Sequence, residues 1–111
     1  MKRVEIESPY AGDIDRNVTY ARRCMKDCLK RGEAPLASHL LYTQPGILDD
    51  DVPEERDLGM LAGKVWSEFA EVIVFYLDYG WSDGMRWGKE MADARGIPTV
   101  ERHIGKNPGD G

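Results

Sequence analysis

No apolar run in the sequence approaches the ~18 residues that a membrane-spanning helix requires, so no such helix is expected within it. Met1-Lys2-Arg3 leads straight into a strand-like segment without the apolar core of a signal peptide, and a cytoplasmic location is expected. Cysteine is scarce. Cys24 and Cys28 are the only two. They stand four apart on one predicted helix, where side chains run parallel and fit a disulfide poorly. A zinc site would need more soft donors than His39 and His103 can add, so buried or half-buried free thiols are expected and no metal is assigned. A surplus of cations is also missing: 15 Lys and Arg face 20 Asp and Glu, for a net charge of −5. A binder of nucleic-acid polymers neutralises phosphates with such a surplus, so that class is set aside. The basic run Arg22, Arg23, Lys26, Lys30 and Arg31 falls on a helix whose other face is apolar, which makes it a solvated face. Internal repeats and low-complexity tracts are absent.

What is present is ordinary for a globular domain: 111 residues, 41% hydrophobic and 32% charged. That length suits one domain and buries roughly 65% of its unfolded surface. Arg3 to Ser8 reads as a strand, ending in the turn-rich Pro9-Tyr10-Ala11-Gly12-Asp13. A helix follows from about Asp15 to Arg31, with Val18, Ala21, Met25, Cys28 and Leu29 as its buried stripe. Asp13 or Asp15 can cap its start, and Gly32 stops it. Ala34 to Ser38 is a short strand, followed by a long polar loop to about Asp51. Asp49-Asp50-Asp51 could bind a divalent cation, since three carboxylates suit hard metals, but such a run is more often a solvated, helix-capping stretch, with Asp51 as the cap. Pro53, Glu54 and Glu55 then begin a second helix, on which Leu58, Leu61, Ala62, Val65 and Phe69 form a stripe. Glu71 to Leu77 is continuously apolar and β-branched or aromatic through its centre, the mark of a strand buried on both faces. A third helix spans about Asp83 to Arg95, Gly96 ends it, and Pro98 opens a last strand through His103.

Strand and helix therefore alternate, which predicts a small flavodoxin-like or Rossmann-like three-layer α/β domain over residues 1–104. Its parallel sheet has four strands in the order 2-1-3-4 and about three helices. The polar, Gly- and Pro-rich residues 105–111 are expected to form a flexible tail.

Ligands of such sheets sit beyond the carboxyl ends of the strands, at the switch point between the first and third. Two loops matter there: Ser8 to Asp13, with Ser8, Pro9, Tyr10 and Gly12, and Asp78 to Gly84. In the second, Gly80 and Gly84 permit unusual backbone angles or close approach, and Ser82 or Asp83 opens a helix whose free N–H groups favour an anion. The same residues also serve as an ordinary cap and turn. His39 follows the second strand and points to the same edge, as a general acid, a base-contacting group or a structural histidine. Trp81 is the aromatic best placed to stack on a nucleobase; Trp66 and Trp87 serve packing or a subunit interface.

The chain resembles the nucleoside 2-deoxyribosyltransferase-like family, particularly its small bacterial and phage members. The similarity runs through Ser8-Pro9-Tyr10, the helix with Asn17, Ala21 and Arg22, and Ala37-Ser38-His39-Leu40. It continues through Pro53-Glu54-Glu55-Arg56 and Trp66, then Asp78, Gly80, Ser82, Gly84-Met85, Glu90 and Ala92. The resemblance implies a site for a nucleoside or nucleoside monophosphate, no cofactor, and a homo-oligomer. In catalytic members a helix glutamate attacks the anomeric carbon and the base departs, a nucleophilic displacement split into two steps. This sequence departs from that pattern. The position two residues before Gly88 is Arg86, a cation suited to holding phosphate. The remaining carboxylates are Asp78, Asp83 and Glu90. Glu90 lies about 9 Å along the helix from Gly84, awkward for a sugar at the helix start. An N-glycosidic-bond enzyme using one of these three, and a nucleotide-binding protein without turnover, are the two expectations.

Overall fold

The computed structural model describes residues 1–110. It contains β1 (Arg3–Glu7), α1 (Ile14–Lys30), β2 (Ala34–Leu36), α2 (Ser38–Leu41), α3 (Pro53–Ser67), β3 (Val72–Tyr76), α4 (Asp83–Arg95) and β4 (Thr99–Arg102). The four strands form one parallel sheet in the order β2-β1-β3-β4. This is the expected α/β topology with one addition: the single-turn helix α2 rises inside the stretch expected to be loop. No helix is long and apolar enough to cross a membrane.

Strand alternation sends Val4 and Ile6 to one face of the sheet and Glu5 and Glu7 to the other. On the first face Val4, Ile6, Val72, Val74 and Tyr76 pack with Tyr20, Cys24 and Cys28 of α1. Both cysteines are buried free thiols, and burial pushes their pKa values up, as an unreactive core thiol requires. The buried side of α1 is set by Asn17, Tyr20, Ala21, Cys24 and Cys28, whereas Leu29, expected to be buried, is half exposed. On the second face Ile73 and Phe75 of β3 pack with Met85 and Ala92 of α4. Every residue of β3 is buried, as its unbroken apolar run predicts.

Caps sharpen three boundaries. Asp13 accepts from the Arg16 N–H at 3.2 Å to start α1, and Ser82 accepts from the Met85 N–H at 3.2 Å to start α4. Gly96 closes α4 in the left-handed conformation, φ 69°. Asp51 does not cap α3. The cap position is Val52, and the Asp49 side chain turns back to the Asp51 N–H.

Helix α3 is inverted relative to ordinary amphipathic packing. Its apolar stripe of Leu58, Leu61 and Val65 faces solvent, each residue more than half exposed, and Phe69, expected to continue that stripe, lies in the turn past the helix end and is exposed too. Its inner face carries glycines instead. A Cβ on Gly63 would lie 2.6 Å from Ser38 Oγ, so the helix can approach α2 only because the position is glycine.

Of the segment expected to form a flexible tail, residues 105–110 make contacts with the rest of the chain, and Gly111 lies outside the described residues. Asn107 donates to the Arg16 carbonyl at 2.9 Å, its backbone N–H donates to Tyr79 Oη at 2.9 Å, and Tyr79 in turn donates to Asp110. Arg23 donates to the Gly105 carbonyl and to Asn107 Oδ1, both at 3.0 Å. Gly-Pro composition marked this stretch as irregular, but its polar groups find partners on α1 and on the turn after β3.

Candidate functional site

The site begins with β1. A strand reading Val-Glu-Ile-Glu suggests one wet face, yet β1 lies between β2 and β3 with helices over both sides. Its glutamates are therefore trapped under α2, α3 and α4. Glu5 is 2% exposed, and its Oε1 accepts from the Ser38 hydroxyl at 3.0 Å and, more weakly, the Ser38 N–H at 3.4 Å. Burial outweighs those bonds and pushes its pKa up to about 7. Glu7 makes no side-chain hydrogen bond among the described residues. Its carboxyl opens instead on a cavity of about 140 Å³. Burial, and then the neighbouring Glu5 charge, pushes its pKa up to about 8. At neutral pH Glu7 is mainly the acid, able to give a proton rather than attack.

Next to Glu7, Ser8 Oγ and His39 Nε2 are 2.8 Å apart. The end of β1 supplies the serine and the first turn of α2 the histidine. Burial lowers the His39 pKa to about 4, so its ring is neutral at physiological pH and hydrogen-bonds the Ser8 hydroxyl. A hydroxyl held by a neutral imidazole can orient a sugar hydroxyl or a base edge.

The opposite wall is α4. Ser82, Gly84 and Met85 bring its N-terminus to the cavity, and Gly88 lies against Glu7. A Cβ on Gly88 would come 3.1 Å from Glu7 Oε1, so the missing side chain provides the room for that carboxyl. On the α3 side, Arg56 and Lys64 line the cavity with no carboxylate within ion-pair distance among the described residues, while Arg95 is held by Glu68 at 2.8 Å. Asp50 and Glu55 also line it, so the cations do not stand alone.

Of the residues singled out from sequence, Ser8, Tyr10, His39, Ser82, Gly84 and Met85 meet around this cavity. Pro9, Gly12, Gly80, Trp81 and Arg86 do not line it. Gly12 and Gly80 form turns with φ of 100° and 79°, and the Trp81 ring packs on Phe75 with centroids 4.9 Å apart. Arg86 is exposed and pairs with Asp83 at 3.5 Å, not with Glu90. The three carboxylates named as catalytic candidates also lie elsewhere. Asp83 is exposed at the helix start, and Glu90 is exposed on α4. Asp78 accepts from Tyr20 Oη at 2.6 Å and from the backbone N–H groups of Ile104 and Gly105, both at 2.8 Å. Burial works to raise its pKa, but those bonds win and hold the carboxyl below its usual range.

Sequence reasoning passed over Glu5 and Glu7; it reads Gly88 as leaving the helix slim enough to lie against the sheet or another chain, and Gly88 lies against Glu7 of β1. The signal was present: carboxylates at alternate positions of a strand whose predicted order made it central.

A family model, Domain of unknown function (DUF7768), matches residues 2–102. No curated protein matches the chain. No solved structure matches it.

Proposed function

The chain belongs to this family of domains of unknown function, and from its own cavity we propose that it binds a nucleoside or nucleoside monophosphate and cleaves or exchanges the N-glycosidic bond. The observation that carries the proposal is the unpartnered Glu7 carboxyl, kept as an acid at neutral pH inside a cavity between α3, α4 and the face of the sheet that bears Glu7. A cavity near 150 Å³ accepts one aromatic ring, so about 140 Å³ suits a nucleobase, with the sugar toward the mouth. The N-terminus of α4, Arg56 and Lys64 would meet a phosphate there. The resemblance to nucleoside 2-deoxyribosyltransferase-like proteins supports the same ligand class.

In this reading the bond between the anomeric carbon and the base nitrogen breaks, and its electron pair goes to the base. Glu7 donates its proton to that nitrogen, which makes the base a better leaving group. Water or a second base attacks the anomeric carbon and returns a proton to the Glu7 carboxylate, restoring the acid. Ser8, oriented by His39, holds the sugar. No cofactor is required. The setting is cytoplasmic and the working form a homo-oligomer.

A second reading is nucleotide binding without turnover. It is favoured by the lining itself, since none of Asp78, Asp83 and Glu90 reaches the cavity and Glu7 is mainly un-ionised at neutral pH. Incubation with deoxynucleosides, their monophosphates and a free base, read by chromatography for released or exchanged base, separates the two. Turnover abolished by Glu7→Gln supports the enzyme. Thermal stabilisation by a nucleotide without turnover supports the binder. Neither turnover nor stabilisation with any member of the panel overturns both.

A further inference from the structure

We infer that Glu5, which does not line the cavity, is a positioning residue for it, acting through Ser38 on the Ser8–His39 pair and along its own strand on Glu7. The inference rests on the reading of Glu7 as the working acid of the site. Glu5 and Glu7 stand two positions apart on β1 and share one face of the sheet, with about 7 Å between their Cα atoms. Glu5 is 2% exposed, and a carboxyl sunk that deep is costly to the fold; an apolar side chain of similar volume would serve the core as well or better. What this carboxyl does is hold α2. Its Oε1 accepts from the Ser38 hydroxyl at 3.0 Å and from the Ser38 N–H at 3.4 Å. Ser38 opens α2, and the next residue, His39, carries the ring that meets Ser8 Oγ at 2.8 Å. The connection thus leaves β1 at Glu5 and returns to the end of the same strand at Ser8. Four residues do not make a stable helix alone, and Ala37 provides no side-chain cap for this one. The Glu5 bond fixes its first residue from the sheet side. From the other side the α3 backbone passes so close that a Cβ on Gly63 would come 2.6 Å from Ser38 Oγ.

Charge gives Glu5 its second effect. From α3 and α4 the cavity receives Glu55, Arg56 and Lys64, and Arg95 already paired with Glu68. From α2 and the loops it receives neutral His39, Asp50 and the phenols of Tyr10 and Tyr42. None of these groups hydrogen-bonds Glu7. After burial itself, the charge on Glu5 is what pushes the Glu7 pKa up to about 8. Glu5 titrates lower, at about 7, so it ionises first and its charge then opposes loss of the Glu7 proton. The two effects separate by substitution. Glu5→Gln keeps an oxygen for Ser38 and removes the charge, whereas Ser38→Ala removes the hydroxyl bond and keeps the carboxyl.

The test is a carbon-13 NMR titration of the glutamate carboxyls in the full chain, without ligand, with the Glu7 resonance identified by its loss in Glu7→Gln. In Glu5→Gln the Glu7 midpoint should move down by about one pH unit, and the alkaline limb of kcat/KM for base release should move with it. A folded Glu5→Gln that melts lower yet leaves the Glu7 midpoint in place shows a structural role only and overturns the inference. In Ser38→Ala, nitrogen-15 NMR at pH 5 should find the His39 ring partly protonated, because water reaches a ring that α2 no longer holds, whereas the wild-type ring, with a pKa of about 4, stays mainly neutral. A His39 ring unchanged in Ser38→Ala overturns the link through Ser38. If Glu5→Gln fails to fold, Ser38→Ala alone decides. Absence of both base release and nucleotide stabilisation would overturn the reading of the cavity, and it would leave these ligand-free titrations to stand by themselves.

Discussion

The carboxyl of Glu7 occupies the space that Gly88 leaves empty: a Cβ on Gly88 would lie 3.1 Å from Glu7 Oε1 and 3.3 Å from its Cδ. Gly88→Ala should therefore trade stability against function. Alanine in a helix interior is favoured over glycine by about 1 kcal/mol, and the group it meets is the movable end of a side chain. The variant should melt within a few degrees of wild type while nucleotide binding weakens roughly tenfold, the cost of displacing one positioned group. Calorimetric titration beside a thermal melt reads both, and unchanged affinity would remove Glu7 from the site.

The two β1 carboxyls predict an unusual pH profile of stability. Burial raises Glu7 from 4.5 to about 8 and Glu5 from 4.5 to about 7. Between those values the unfolded chain has released protons that the folded chain keeps, so stability falls as pH rises. His39, lowered by burial from 6.5 to about 4, acts the other way and costs stability as pH falls through that range. Two groups outweigh one, which places the optimum near pH 4.5 to 5, with a loss continuing to pH 8. Glu7 opens on a solvent-reaching cavity that screens its charge, so its share should be on the order of 2 kcal/mol. Denaturant melts at pH 5, 6.5 and 8 check this. Glu7→Gln should flatten the alkaline limb, and an equally steep limb in that variant would show that Glu7 is not its source.

Two glycines of α3 should respond differently to alanine. On Gly63 the new Cβ would sit 2.6 Å from Ser38 Oγ, the donor that satisfies buried Glu5, whereas on Gly59 it would meet the Leu48 methyl at 3.3 Å. Gly63→Ala should destabilise by about 1–3 kcal/mol, through overpacking and a loosened Ser38–Glu5 bond. Gly59→Ala should be neutral or gain up to about 1 kcal/mol. Chemical denaturation of the pair measures the contrast, and equal midpoints would show that α3 does not press on α2.

These contrasts show where the sequence was readable. The strand order followed from alternation, and β3 from its apolar run, because burial on both faces leaves a pattern that needs no partner to interpret. Glu5 and Glu7 were missed because a two-residue period ordinarily means one wet face. Only the order 2-1-3-4 places that face under helices. The stripe of α3 was legible as a stripe, but periodicity states that residues share a face and not what covers it. The loop from Asp78 to Gly84 divides for a similar reason. Ser82 and Gly84 reach the cavity through the start of α4, while Asp78 is turned to the other side of the sheet by Tyr20, a partner 58 positions away that no local pattern could reveal.

Asp78 supplies the sharpest test of that division. Its Oδ2 accepts from Tyr20 Oη and the Ile104 N–H, and its Oδ1 from the Gly105 N–H. Every approach to this carboxylate is a donor, so the amide of Asp78→Asn must point its NH₂ at an N–H or O–H in either orientation. Losing charge-assisted bonds and leaving one donor opposed should cost about 2–4 kcal/mol. The lowered pKa adds a signature. Asp78 contributes stability above its unfolded value near 3.8 that is lost as pH falls through the folded value, so the variant should lose less on acidification than wild type. Hydrogen exchange should quicken at Ile104 and Gly105, where the backbone donors are released. The cavity on the opposite face should keep its nucleotide affinity within about twofold, since distant sites couple weakly. A variant that melts like wild type yet loses turnover or binding would place Asp78 in the chemistry and remove the cavity from it.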